Sequence, residues 1–140
     1  MTQKLGMVTV VVPDYDEAIA YYTQQLGFEI LEDTPLSTQK RWVVVRPPSM
    51  QGAALLLARA ADEIQRNAIG RQTGGRVFLF LYTDDFERDY TLYRERGVQF
   101  VRSPRSESYG TVAIFADLYG NLWDLIGPVA GDRAGKSSAP

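Results

Sequence analysis

The chain contains no cysteine and no histidine. Without cysteine there is no disulfide and no thiolate nucleophile. Without histidine the commonest metal ligand and the commonest neutral-pH proton acceptor are both missing. A zinc site built on His or Cys is excluded outright, which leaves only a site built from oxygen ligands. No apolar run approaches the roughly 20 residues that a membrane-spanning helix needs, so no membrane partner is expected. The excess of acid is slight, with a net charge of −2 and no basic stretch, so no nucleic-acid partner is expected either. The first six residues carry no signal-peptide core, and the expected location is a bacterial-type cytoplasm.

What is present is ordinary in amount and informative in order. At 140 residues, 45% of them hydrophobic and 23% charged, the chain is long enough for one domain with a real core. The organising stretch is Asp117-Leu118-Tyr119-Gly120-Asn121-Leu122-Trp123-Asp124-Leu125-Ile126. Turn residues at Tyr119-Gly120-Asn121 feed an apolar strand that carries one carboxylate, Asp124. A carboxylate in such a run must be solvated, paired or used to bind something.

Upstream, Met7–Val12 is a β-branched run ended by Pro13. Asp14 and Glu17 then make a capping box for a helix that Gly27 stops. Strands follow at Phe28–Leu31, Lys40–Arg46 and Ala53–Ala58, with Trp42 and Val44 on one face of the third strand and Arg41, Val43 and Val45 on the other. Residues 60–75 read as a short surface helix and a glycine-rich linker. The pattern then repeats: strand Val77–Thr83, helix opening at Asp84-Asp85 with Glu87, stop at Gly97, and strands at 98–102, 109–116 and 122–126. Asp14, Glu17, Gly27 and Phe28 each stand 70 positions before Asp84, Glu87, Gly97 and Val98. Self-similarity of this kind predicts two copies of one βαβββ unit.

Three stretches, Met7–Phe28, Arg76–Gly97 and Asp117–Asp124, resemble the vicinal oxygen chelate superfamily of glyoxalase, bleomycin-resistance and extradiol-dioxygenase proteins. The first is similar to the family's opening strand, helix and "FY…LGF" segment. The last is similar to its "DPDGN-x-x-E" ending. The resemblance implies an α+β fold of two tandem βαβββ modules forming an open cup-shaped mixed sheet. The expected layout is a single glyoxalase-like domain over 1–128, with module one at 5–59, a linker at 60–75, module two at 76–128 and a disordered tail at 129–140. A ferredoxin-like dimeric α+β barrel is the rival fold, and three strands after each helix argue against it.

The resemblance also implies a divalent metal held by residues of the first, fourth, fifth and eighth strands. Here those positions fall at Met7, at or near Leu56, at Arg76 or Phe78 depending on a bulge, and at Asp124. Three of the four are not ligands for a hard cation, so a degenerate site with no metal and no cofactor is expected. Alternation places Met7, Thr9, Val11, Arg76, Phe78, Phe80, Tyr82, Leu122, Asp124 and Ile126 on the cup face. The candidate ligand-binding set is therefore Met7, Thr9, Arg41, Arg76, Phe78, Phe80, Tyr82, Tyr109 and Asp124. The aromatic side chains among them equally suit plain core filling. Arg41 is a candidate partner for Asp124. Arg105 and Tyr109 sit on a stretch, 104–110, expected to be a loop that either covers the mouth or is plain surface.

Three functions follow as expectations. The leading one is a homodimeric binding protein whose cups hold a small amphipathic molecule without a metal. The second is a lyase or dioxygenase-type enzyme with a degenerate metal or acid–base site centred on Asp124, with Tyr82 as the other catalytic candidate. The third is a structural or regulatory dimer with its cups packed shut.

Overall fold

A computed structural model describes residues 1–49 and 51–129. The expectation of a disordered tail at 129–140 falls, apart from Val129, outside the described residues. The chain divides between Gln72 and Thr73 into two compact units. Each is a βαβββ module, so the fold is the tandem arrangement that the repeat predicts.

In the first unit, β1 (Met7–Val12), β2 (Glu29–Pro35), β3 (Arg41–Arg46) and β4 (Ala54–Arg59) form a sheet in the order β1-β4-β3-β2. β1 and β4 are parallel, and the other pairs are antiparallel. Helix α1 (Tyr15–Ala20) follows β1 and runs into a π-helical turn over Tyr21–Gln25. Val10, Val12, Val43, Val45, Leu55 and Leu57 point to the α1 side and are buried. A second short helix, α2 (Glu63–Ala68), is capped by Asp62 and falls inside the stretch read as surface helix and linker.

The second unit repeats the plan. β5 (Val77–Tyr82), β6 (Gln99–Glu107), β7 (Gly110–Ala116) and β8 (Leu122–Gly127) are ordered β5-β8-β7-β6, with β5 and β8 parallel. Helix α3 (Phe86–Glu95) packs on one face through Tyr93, whose ring meets Phe115 edge-on at 5.7 Å. Phe115 in turn stacks on Trp123 at 5.7 Å. Three strands follow the helix in each unit, which sets the ferredoxin-like alternative aside.

The helix caps correct the constant offset. Asp14 caps α1 by accepting from the Glu17 N–H at 2.8 Å, but α3 is capped by Asp85, not Asp84, through the Arg88 N–H at 3.2 Å. The two stop glycines, Gly27 and Gly97, keep the left-handed conformation at φ 76° and 83°. The first helical segment thus holds one more residue than the second. The π-turn absorbs it: the Phe28 N–H reaches back to the Tyr22 carbonyl, where the Val98 N–H reaches only to Tyr93.

The stretch 104–110 is also corrected. It is the end of β6, a two-residue turn at Ser108-Tyr109 and the first residue of β7, so Arg105 lies in a strand opposite Val112. Among the described residues no helix is long and apolar enough to cross a membrane.

Candidate functional site

The stretch leading into β8 is built on Asp117. Its carboxylate, buried with its residue at 5% exposure, accepts from the backbone N–H groups of Tyr119, Gly120 and Asn121 at 3.0–3.1 Å. It also accepts from the Asn121 amide at 3.0 Å and the Trp123 indole at 3.4 Å. Gly120 supplies the positive φ, 106°, that closes the turn. Indole and turn are tied together, so Trp123 is fixed toward α3. Alternation then sends Asp124 to the opposite face.

On that face the register lines up two rows of side chains. Phe80 on β5 and Ile114 on β7 stand directly opposite Asp124 on either side, and Arg102 on β6 lies beyond Ile114. The second row is Tyr82, Ile126, Val112 and Arg105. Paired side chains in a sheet sit within about 5.5 Å at Cβ, so Asp124 is held between two apolar neighbours. Burial pushes its carboxyl above the ordinary carboxylate range, while Arg102 and, less strongly, Arg105 pull it down. Phe80 and Tyr82 are 56% and 58% exposed, far more than core aromatics. No hydrogen bond among the described residues joins Tyr82 to Asp124.

Two expected members of this face are placed differently. The β5–β8 register slips between Val77 and Leu79, so Phe78 is an extra, bulged residue and does not continue the Phe80–Tyr82 alternation. Arg76 precedes β5 and is exposed, its carbonyl accepting from the Thr73 hydroxyl at 2.6 Å. Tyr109 lies in the hairpin turn, partly exposed.

In the first unit the face turned away from α1 carries Met7, Thr9, Leu56, Trp42, Val44 and Arg46. Leu56 stands in register between Thr9 and Val44, with Glu32 beyond. Met7 is 42% exposed. Arg46 was not singled out in the sequence, although it shares the alternation of Trp42 and Val44. Its Nε is buried with no hydrogen-bond partner among the described residues.

Arg41 belongs to the other face, and its candidate pairing with Asp124 gives way to partners inside its own unit. Its guanidinium grips Asp33 through two bonds of 3.1 and 2.8 Å and reaches Asp16 at 2.9 Å. Its backbone N–H donates to the Tyr15 hydroxyl at 3.1 Å, and its charge lies 5.2 Å from that ring's centroid. The hydrogen bonds from Arg41 lower the Asp33 carboxyl below its ordinary value. It is a strut between α1 and the β2–β3 hairpin.

The donor set can be tested against the metal that the resemblance implies. The four positions offer a thioether, an alkyl side chain, an aromatic ring or a guanidinium, and one carboxylate. Among the described residues no group of three or more Asp and Glu could hold an ion. These residues do not fit a divalent cation.

Comparison with known proteins agrees with the fold and the motifs. The model of the Glyoxalase/Bleomycin resistance protein/Dioxygenase superfamily matches residues 4–125. An uncharacterized protein of Shewanella frigidimarina (strain NCIMB 400) is 56% identical over 127 residues, covering 90% of this chain and 94% of its own. The crystal structure of UcmS2 is 30% identical, with a TM-score of 0.78, and the match covers 90% of this chain and 98% of that one. The structure of TnmS3, an antibiotic binding protein from Streptomyces sp. CB03234, is 28% identical with a TM-score of 0.72, covering 91% and 97%.

Proposed function

The chain belongs to the Glyoxalase/Bleomycin resistance protein/Dioxygenase superfamily, and from that premise we propose that it binds a small amphipathic molecule and does so without a metal. One observation carries the reading: Phe80 and Tyr82, both more than half exposed, stand on β5 beside a half-buried carboxylate, on a sheet face with two arginines on its edge strand. Apolar walls with a few polar points suit a ligand that stacks on rings and is oriented by Asp124. The unpartnered Nε of Arg46 and the hydroxyl of Thr9 add polar points on the face of the first unit. The likeness to an antibiotic binding protein supports a drug-like ligand.

On this reading the positions where the resemblance implies metal ligands, Met7, Leu56, Arg76 or Phe78, and Asp124, no longer serve a metal. The protein works as a cytoplasmic homodimer with no cofactor and no nucleic-acid partner. The test is a thermal-shift screen against amphipathic aromatic compounds, antibiotics among them, paired with metal analysis of protein purified without chelator. A saturable rise in melting temperature for one chemical class, with no stoichiometric metal, is the expected result. Stoichiometric bound metal, or stabilisation by manganese, nickel, iron(II) or zinc, would overturn the metal-free part.

A second reading has its own support in the raised pKa of Asp124, which suits a carboxylate to proton transfer. On that reading Asp124 is the acid–base residue of a lyase-type reaction, and Asp124→Asn abolishes turnover while leaving ligand affinity within a few-fold.

A further inference from the structure

β8 and the turn before it hold two carboxylates of opposite kind. Asp117 is buried and takes five donors. Asp124 accepts no hydrogen bond and joins no ion pair among the described residues. A half-buried carboxylate keeps its acceptor capacity open only at a cost, because burial disfavours its charge. Phe80 and Tyr82 on β5 are in a matching state. Both are more than half exposed, and neither ring packs on another ring among the described residues. An acceptor with no donor thus lies beside two rings that no other ring covers.

The register gives this face a direction. From β5 to β6, one row runs Phe80, Asp124, Ile114, Arg102. Paired strands lie about 4.8 Å apart, so Phe80 stands one spacing from Asp124 and Arg102 stands two. In the next row Tyr82 is on the β5 side, and Arg105 on the β6 side has its charge taken up by Glu107 at 2.9 Å. Both arginines of the face are therefore on the β6 side, and the β5 side of Asp124 is aromatic. A cation drawn to Asp124 settles on the β5 side, where rings attract it and the guanidinium groups are farthest away.

Resting on the reading of this face as a binding site, we propose that the group seated at Asp124 is a protonated amine, which makes the ligands amphipathic ammonium compounds. The ammonium donates to the Asp124 carboxylate and lies against Phe80 and Tyr82, a combination that suits a cation more than any neutral group. The apolar body of the ligand runs over Ile114 toward β6. A neutral ligand leaves the carboxylate's charge uncompensated, and an acidic one adds a like charge beside it.

The probes are phenethylammonium, phenethyl alcohol and hydrocinnamate, which share a phenyl ring on a short chain and differ in charge. Each is titrated at neutral pH into isotope-labelled protein and followed by amide chemical shifts. The ammonium should move the amides of residues 79–83 and 122–126 saturably, with a dissociation constant on the order of 1 mM, normal for so small a ligand. The alcohol should bind roughly tenfold more weakly, and hydrocinnamate more weakly still. Asp124→Asn keeps the shape and removes the charge, so the preference for ammonium over alcohol should collapse. Equal or tighter binding of the alcohol or of hydrocinnamate on this face would overturn the proposal and leave a binding face of another chemistry. A preference that survives Asp124→Asn, ammonium shifts centred away from Asp124, or no saturable shift with any probe would also overturn it. The thermal-shift screen reads the broader binding proposal separately.

Discussion

The indole N–H of Trp123 donates to the buried carboxylate of Asp117 at 3.4 Å, and through it one side chain fixes both the turn and the strand that leaves it. Five donors converge on Asp117. Asp117→Ala would remove the acceptor shared by three backbone N–H groups, an amide and an indole, and would leave the buried donors of Asn121 and Trp123 without it. Leaving several buried donors unmet costs about 3 kcal/mol or more. Urea unfolding should show a lower midpoint with an unchanged slope, and Asp117→Asn should lie between the two proteins. A loss below about 0.5 kcal/mol would show that the turn holds without the carboxylate.

Much of this was legible in the sequence. The helix caps, the stop glycines and the alternation of β3 follow from local chemistry, which is why the βαβββ repeat could be seen at all. What the sequence hides is register. Phe78 looks like the natural continuation of Phe80 and Tyr82, and only the pairing with β8 shows that it is bulged. Arg105 and Tyr109 sit among Pro, Ser and Gly, and so read as loop. Backbone pairing with β7 overrides that composition and makes a hairpin. The one-residue mismatch between Asp14 and Asp85 is invisible until the π-turn appears.

Arg41 makes a prediction of its own. A guanidinium that grips one carboxylate through two bonds and a second through one cannot be replaced by an ammonium. Arg41→Lys should therefore lose nearly as much stability as Arg41→Ala, about 1 kcal/mol for a half-buried network of this kind. The Asp33 pKa is lowered in the folded protein, so its contribution is present above about pH 4 and is lost as pH falls through the folded value. Both variants should erase that acid-side loss. A lysine variant as stable as the parent would show that charge alone suffices.

Asp124 should give the opposite pH signature. Its folded pKa is raised, so between about pH 4 and that raised value the folded state holds more proton than the unfolded chain. Stability from this group therefore falls as pH rises through the window. Asp124→Asn cannot titrate, so the parent should lose stability relative to the variant between pH 4 and pH 7. Contributions from other carboxylates cancel in the difference. Parallel curves in urea melts across that range, or a parent that gains on the variant, would show that the carboxyl is not destabilised by burial.

The exposed aromatics distinguish a binding face from a packed one. A ring that fills a core costs about 3–5 kcal/mol when cut to alanine, because a cavity remains. Phe80 and Tyr82 are more than half exposed, so little packing is there to lose. Phe80→Ala and Tyr82→Ala should each change unfolding stability by less than about 1 kcal/mol. For whichever compound the thermal-shift screen identifies, calorimetric affinity should fall by about tenfold or more with each, as the ring it stacks on is removed. Two results would decide against the face as a binding site. One is a large loss of stability, which would mean that the rings are already buried in the assembled protein. The other is full affinity in the double variant, which would move the ligand elsewhere on the chain.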